Sequence, residues 1–122
     1  MGRILVVDDE IEVCNALKEF IGSKGYEVHT ALDGDNAIRK LKAVRPHVVL
    51  LDIRMPGMGG IEILKEIKRV HPETGVIMVT AVADQETAVK AVELGAYDYI
   101  TKPVDLNYLN TVVMVKLVDL LG

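Results

Sequence analysis

The stretch that decides the fold is Val48-Val49-Leu50-Leu51-Asp52, four consecutive apolar residues followed at once by a carboxylate. An apolar run without the alternation of a half-exposed strand is typical of a central parallel strand that helices cover on both faces. We therefore predict a strand over residues 48–51. Asp52 then stands at the carboxyl end of that strand, where the chain leaves the core.

Strand and helix patterns alternate along the rest of the chain. The predicted strands are residues 3–7, 26–31, 48–51, 76–79 and 98–101. Apolar residues at helical spacing predict helices over 11–21, 37–44, 61–68, 88–94 and 106 to about 121. This order is typical of the α/β class, with one parallel sheet, right-handed crossovers and helices on both faces.

Turn and cap signals set the expected boundaries of these elements. Gly25 and Gly95 are plausible helix stops, and Asp33-Gly34 is interpreted as a turn. Asp105 is a candidate cap for the last helix.

The composition fits one domain with an ordinary packed core. The chain has 122 residues, of which 50% are hydrophobic and 26% charged. A net charge of −4 argues against binding of nucleic acid through its phosphates. Cys14 is the only cysteine and is expected to be a buried core residue rather than a reactive thiol. With no signal peptide and no bilayer-length apolar run, we expect a cytoplasmic protein without membrane contact.

Polar residues recur where the predicted strands end. Asp8 and Asp9 follow the first strand, Asp52 the third, Thr80 the fourth and Lys102 the fifth. In open sheets of this kind, ligands bind at the carboxyl ends of the strands. All five residues are therefore expected at one edge of the sheet.

Carboxylates that converge on one cleft repel one another unless a cation neutralises them. Mg²⁺ prefers oxygen ligands and often binds one or two carboxylates plus a phosphate, so Asp9 and Asp52 could ligate directly and Asp8 through water. A carboxylate can also accept a phosphoryl group, with Lys102 stabilising the transferred charge. The simpler alternatives are that Asp8 and Asp9 only cap the next helix and that Thr80 and Lys102 are ordinary strand-end residues. Capping does not account for Asp52.

Four stretches carry a resemblance to a known family. ILVVDDE (4–10), VVLLDIRMPGMGGIE (48–62), VIMVTA (76–81) and GAYDYITKP (95–103) resemble the landmarks of bacterial response-regulator receiver domains. The resemblance implies a flavodoxin-like (CheY-like) three-layer sandwich with a five-stranded parallel sheet in the order 2-1-3-4-5. It also implies that residues 1–122 form one receiver domain.

The resemblance assigns roles to the residues at the sheet edge. It implies Asp52 as the phosphoacceptor, and a Mg²⁺ site made by Asp8, Asp9, Asp52 and the backbone carbonyl of Arg54. The donor would be a histidine kinase or a phosphotransfer protein. Such a protein would be a switch with autocatalytic phosphotransfer rather than an enzyme.

Arg54 and Val82 lie two positions after Asp52 and Thr80, where they flank the expected path of an attacking water. Arg54 can cover the phosphoryl group and Val82 cannot orient a water, so we expect slow self-dephosphorylation.

The switch itself is implied to involve two further side chains. Thr80 and Lys102 would contact the phosphoryl group, and Tyr99 matches the family's switch aromatic. Thr80 would move towards the phosphoryl group, and the Tyr99 ring would follow into the space it leaves. The surface of the fourth helix, fifth strand and fifth helix would then change shape.

Two other functional classes remain open at this point. An aspartate-nucleophile phosphatase usually carries a second Asp two positions after the nucleophile, where this chain has Arg54. A flavin or nucleotide domain would need a glycine-rich or hydroxyl-rich loop after the first strand, where this chain has Asp8-Asp9-Glu10.

The last helix has more apolar residues than one sheet-facing stripe needs. The expected core stripe is Leu106, Leu109, Val113, Leu117 and Leu120. This leaves other apolar residues on the remaining faces, namely Val112, Met114, Val115 and Val118. Scattered surface valines are common, but an adjacent set also suggests an interaction patch. The hypothesis is a phosphorylation-dependent homodimer through the fourth helix, fifth strand and fifth helix.

Overall fold

The computed structural model describes residues 2–122, which form five strands and five helices in strict alternation. The strands are β1 Arg3–Val7, β2 Glu27–Ala31, β3 Val48–Leu51, β4 Gly75–Thr80 and β5 Asp98–Thr101. The helices are α1 Ile11–Gly22, α2 Gly34–Val44, α3 Gly60–Val70, α4 Gln85–Glu93 and α5 Leu106–Leu121. All strand pairs are parallel and the order is β2-β1-β3-β4-β5. The predicted flavodoxin-like fold is confirmed.

The uniform apolarity of β3 follows from its position between two helical layers. Successive side chains of a strand point to opposite faces of the sheet. Val49 and Leu51 pack in the cluster that includes residues of α2 and α3, whereas Val48 and Leu50 pack with residues of α1 and α5. Every residue of β3 is at most 1% exposed. A polar residue on either face of this strand would have no access to water.

Three of the five helices begin with an aspartate that caps the first turn. Asp33, Asp84 and Asp105 each accept a hydrogen bond from a backbone N–H two or three residues later. The prediction for Asp105 is confirmed. The interpretation of Asp33-Gly34 as a turn is wrong, because the Asp33 cap makes Gly34 the first residue of α2.

The sheet-facing stripe of α5 differs from the predicted one. Its buried residues are Leu109, Val112, Val113 and Leu117. Val112 is therefore a core residue, contrary to the sequence prediction, whereas Leu106 is 37% exposed because it opens the helix at the notch beside α1. Leu120 is only half-buried. Met114, Val115 and Val118 are exposed, as predicted.

Gly60 allows α3 to start in direct contact with the backbone that follows β3. Its N–H donates to the carbonyl of Ile53 at 2.9 Å. A Cβ at residue 60 would lie 2.1 Å from the Asp52 carbonyl oxygen and 2.6 Å from the Ile53 Cα. Only glycine fits this contact, which fixes the peptide between Asp52 and Ile53 against the helix.

No helix among residues 2–122 combines the length and apolarity needed to cross a bilayer.

Candidate functional site

Lys102 joins two buried carboxylates at the carboxyl edge of the sheet. Its Nζ lies 2.7 Å from Asp8 Oδ2 and 3.4 Å from Asp52 Oδ2. The side chains of Asp8 and Asp52 are 3% and 8% exposed, and that of Lys102 is 17% exposed. The structure therefore brings together three residues that are separated by up to 94 positions in the sequence.

Backbone hydrogen bonds that extend the sheet hold these three residues in place. The Asp52 N–H donates to the carbonyl of Val7 at 3.0 Å, and the Lys102 N–H donates to the carbonyl of Thr80 at 2.8 Å. The Asp8 N–H donates to the carbonyl that ends β2. Each functional side chain thus leaves the sheet from a fixed backbone position.

The ammonium of Lys102 remains charged in this setting. Burial lowers the pKa of Lys102, but the hydrogen bond that its ammonium donates to Asp8 and the charge of Asp52 outweigh burial, so the pKa lies above its usual value. One positive charge therefore faces two buried negative charges. The imbalance favours the arrival of a further cation.

Asp8 also belongs to a cluster of three acidic residues that directly follows β1. Asp8, Asp9 and Glu10 each offer a carboxylate oxygen, and these oxygens lie within 4.8 Å of one another. Asp9 and Glu10 are exposed, and Glu10 Oε1 lies 3.9 Å from Lys102 Nζ. Oxygen ligands and excess negative charge fit a hard divalent cation such as Mg²⁺. The contribution of Glu10 was missed by sequence reasoning, although its place directly after Asp8-Asp9 was a signal.

Thr80 and Tyr99 are linked through the backbone of one residue. The Thr80 side chain is fully buried, and its Oγ1 accepts a hydrogen bond from the Val82 N–H at 3.2 Å. The Tyr99 hydroxyl donates to the carbonyl of the same Val82 at 2.5 Å. Burial raises the pKa of Tyr99, and the charges of Asp84 and Asp52 raise it further, so the hydroxyl stays a donor at neutral pH.

The side chain of Arg54, unlike those of Asp8, Asp52 and Lys102, makes no ion pair with the other predicted site residues in the part of the chain that the structure describes. Arg54 lies two positions after Asp52 in the loop before α3, and its side chain is exposed. Among the contacts of residues 2–122, its guanidinium has no ion pair. Its predicted ligand is the backbone carbonyl, which does not depend on where the side chain lies.

Cys14 lies beneath the acidic residues rather than among them. Its Sγ is 3.3 Å from the carbonyl oxygen of Asp8, and the residue is 1% exposed. Burial raises the pKa of the Cys14 thiol, and the charge of Asp8 acts in the same direction. The prediction of a buried, unreactive cysteine agrees with this position.

Comparison with known proteins gives consistent matches. The family model described as the response regulator receiver domain matches residues 4–114. The regulatory protein AtoC of Escherichia coli strain K12 is 46% identical over 113 residues, which cover 93% of this chain and 24% of that protein. The nitrogen assimilation regulatory protein NtrX of Azorhizobium caulinodans is 42% identical over 82% of this chain and 22% of its own length. The chain thus spans about a quarter of these relatives.

Solved structures match over almost the whole chain. The BeF3-activated receiver domain of DrrB has a TM-score of 0.88 and 37% identity, covering 96% of this chain and 97% of that one. A CheY-like response regulator receiver domain protein from Methanospirillum hungatei has a TM-score of 0.93 and 33% identity, covering 98% of this chain and 95% of that one. With the family match, these likenesses show that the chain belongs to the response regulator receiver domain family.

Proposed function

We propose that residues 1–122 form one receiver domain that accepts a phosphoryl group on Asp52 and changes the shape of its output surface in response. The observation that carries the proposal is the position of Asp52. It is a buried carboxylate at the end of the central strand, with the Lys102 ammonium 3.4 Å away. A charged group arriving there meets a fixed cation in a partly dry site, where electrostatic stabilisation is strong.

The proposed reaction is a direct phosphoryl transfer. A carboxylate oxygen of Asp52 attacks phosphorus, the bond from phosphorus to the donor's imidazole nitrogen breaks, and that nitrogen keeps the electron pair. Lys102 then stabilises charge on the phosphoryl oxygens, and the Thr80 hydroxyl donates to one of them. The donor would be a phosphohistidine of a histidine kinase or phosphotransfer protein, the class of partner that response regulators have.

Mg²⁺ would be held by Asp8, Asp9, Asp52 and the backbone carbonyl of Arg54. When bound, it supplies positive charge that offsets repulsion between the phosphoryl oxygens and the carboxylates. The acidic residues support this part of the proposal, because their charge exceeds what Lys102 alone balances.

The switch would act through the backbone of Val82, whose N–H and carbonyl lie in the two peptides on either side of its Cα. When the Thr80 hydroxyl turns to a phosphoryl oxygen, it leaves the Val82 N–H without its present acceptor. The Tyr99 hydroxyl donates to the carbonyl of Val82, in the next peptide along the chain, so a displacement of the Val82 backbone would also release the ring. Helix α4 follows directly and has Ala91 as its only buried residue, so little packing resists its movement.

The partner surfaces lie on two sides of the site. An apolar notch beside Lys102 is lined by Val13, Leu17, Pro103 and Leu106, and it suits the side of a helix that carries the donor histidine. Exposed apolar residues of α4 and α5 offer a second surface for a symmetric homodimer, namely Val89, Val92, Met114, Val115 and Val118. Neither surface provides the basic stripe that binding to DNA would need.

The first prediction concerns the acceptor. With Mg²⁺ and acetyl phosphate, the protein should gain one base-labile phosphoryl group, and Asp52→Asn should gain none because the nucleophilic oxygen is lost. Intact-mass spectrometry gives the answer. Asp35→Asn removes an exposed carboxylate of α2 and should be labelled like wild type. Equal labelling of Asp52→Asn would contradict the assignment.

The second prediction concerns the lifetime of the phosphoryl group. Val82 lies two positions after Thr80 and cannot orient an attacking water, so self-dephosphorylation should be slow. Val82→Glu supplies a carboxylate near the water path and should shorten the half-life severalfold. The measurement is loss of the phosphoryl group after removal of the donor. Ala83→Glu, at an exposed neighbour, is the control; an unchanged half-life in Val82→Glu would count against the water-access argument.

The third prediction concerns the homodimer. BeF3 bound at Asp52 as a phosphoryl mimic should raise the solution mass of wild type towards that of a dimer. Val115→Glu should keep it monomeric, because Val115 is 49% exposed on the apolar surface of α5. Analytical ultracentrifugation tests this, with the exposed α1 substitution Asn15→Glu as the control. A wild-type monomer in both states, or a dimer of Val115→Glu, would refute the hypothesis.

A further inference from the structure

Helix α1 lacks the side-chain cap that begins three of the other helices. Asp33, Asp84 and Asp105 all accept a hydrogen bond from the first turn of their helices. Glu10 occupies the same position before α1, but its side chain accepts no such bond. Glutamate is a poor residue at this position, where Ser, Thr, Asp and Asn are favoured. The local rule for a stable helix start is therefore broken here.

The side chain of Glu10 lies at the proposed cation site. Its Oε1 is 3.9 Å from Lys102 Nζ, and its carboxylate is within 4.8 Å of the ligand oxygens of Asp8 and Asp9. Its backbone N–H donates to Asp8 Oδ1 at 2.9 Å, which holds the Asp8 carboxylate in place. The residue thus contacts the site through its main chain and adds a negative charge through its side chain.

We propose that Glu10 is a positioning residue that strengthens divalent-cation binding at the expense of the helix cap. The inference rests on the proposed function, because it concerns the same Mg²⁺ site. A Ser at position 10 would cap α1 but would place no negative charge beside the cation, and an Asp there would use its carboxylate to accept from the first turn of the helix. Sequences break a local stability rule mainly where function requires it.

A simpler explanation is that Glu10 stabilises α1 by its charge near the positive end of the helix. The two explanations predict opposite changes in the stability of the metal-free protein. If the charge serves the helix, its removal lowers the melting temperature. If it serves the cation site, a capping residue without the charge raises the melting temperature and weakens Mg²⁺ binding.

The test is a Mg²⁺ titration at constant ionic strength, followed by melting temperature, for wild type, Glu10→Ser, Glu10→Gln and Glu12→Gln. Without metal, Glu10→Ser should melt a few degrees higher than wild type, since the serine caps α1. Its Mg²⁺ dissociation constant should rise roughly fivefold, and Glu10→Gln should show the same weakening without the cap. Glu12→Gln removes the same charge from the exposed first turn of α1 and should change the Mg²⁺ dissociation constant less than about twofold.

Two results would overturn the inference. One is Mg²⁺ affinity in both Glu10 variants equal to that of Glu12→Gln, and the other is a lower melting temperature of metal-free Glu10→Ser. Asp9→Asn separates this inference from the proposed function. If Asp9→Asn also leaves Mg²⁺ affinity unchanged, the proposed metal site itself fails; if it weakens binding while the Glu10 variants do not, only the role of Glu10 fails.

Discussion

The interaction on which the rest depends is the contact of one ammonium, that of Lys102, with the buried carboxylates of Asp8 and Asp52. A buried charge without a partner costs several kcal/mol, roughly 3–5 when one member of an existing pair is removed. The three side chains can meet only if the ends of β1, β3 and β5 lie at one edge. The parallel sheet with β1 next to β3 satisfies this requirement. The site can therefore form only in a sheet with this parallel topology.

The same contact explains why the site can respond to charge. One ammonium shared by two carboxylates leaves net negative charge, and Asp9 and Glu10 add to it at the rim. This excess of negative charge favours the binding of a cation beside Asp8 and Asp52. A phosphoryl group on Asp52 would offer Lys102 a new partner and Thr80 a new acceptor. Because Thr80 and Tyr99 both hydrogen-bond to the backbone of Val82, a change of charge at the carboxyl edge of the sheet would have a route to the weakly packed α4.

The sequence was sufficient to predict an element where its hydropathy pattern alone shows which faces of that element are buried. The run at 48–51 identifies a strand covered on both faces, and each polar residue after a strand is placed by the parallel topology. The prediction for α5 went wrong at Val112 and Leu106, because a helix that is apolar on several faces does not reveal which stripe meets the sheet. Contacts of the main chain, such as those of Val82, leave no mark in the sequence. The direction of the Glu10 side chain, which does not cap α1, likewise leaves no mark in the sequence.

The measurement that tests the central claim most directly is the Mg²⁺-induced change in melting temperature of Lys102→Met against wild type. If Lys102 holds Asp8 and Asp52 together in place of a metal, its removal should destabilise the metal-free protein through unpaired buried charge. Mg²⁺ should then bind more tightly and raise the melting temperature of the variant by more than that of wild type. A variant with unchanged metal-free stability, or with weaker Mg²⁺ binding than wild type, would contradict the account.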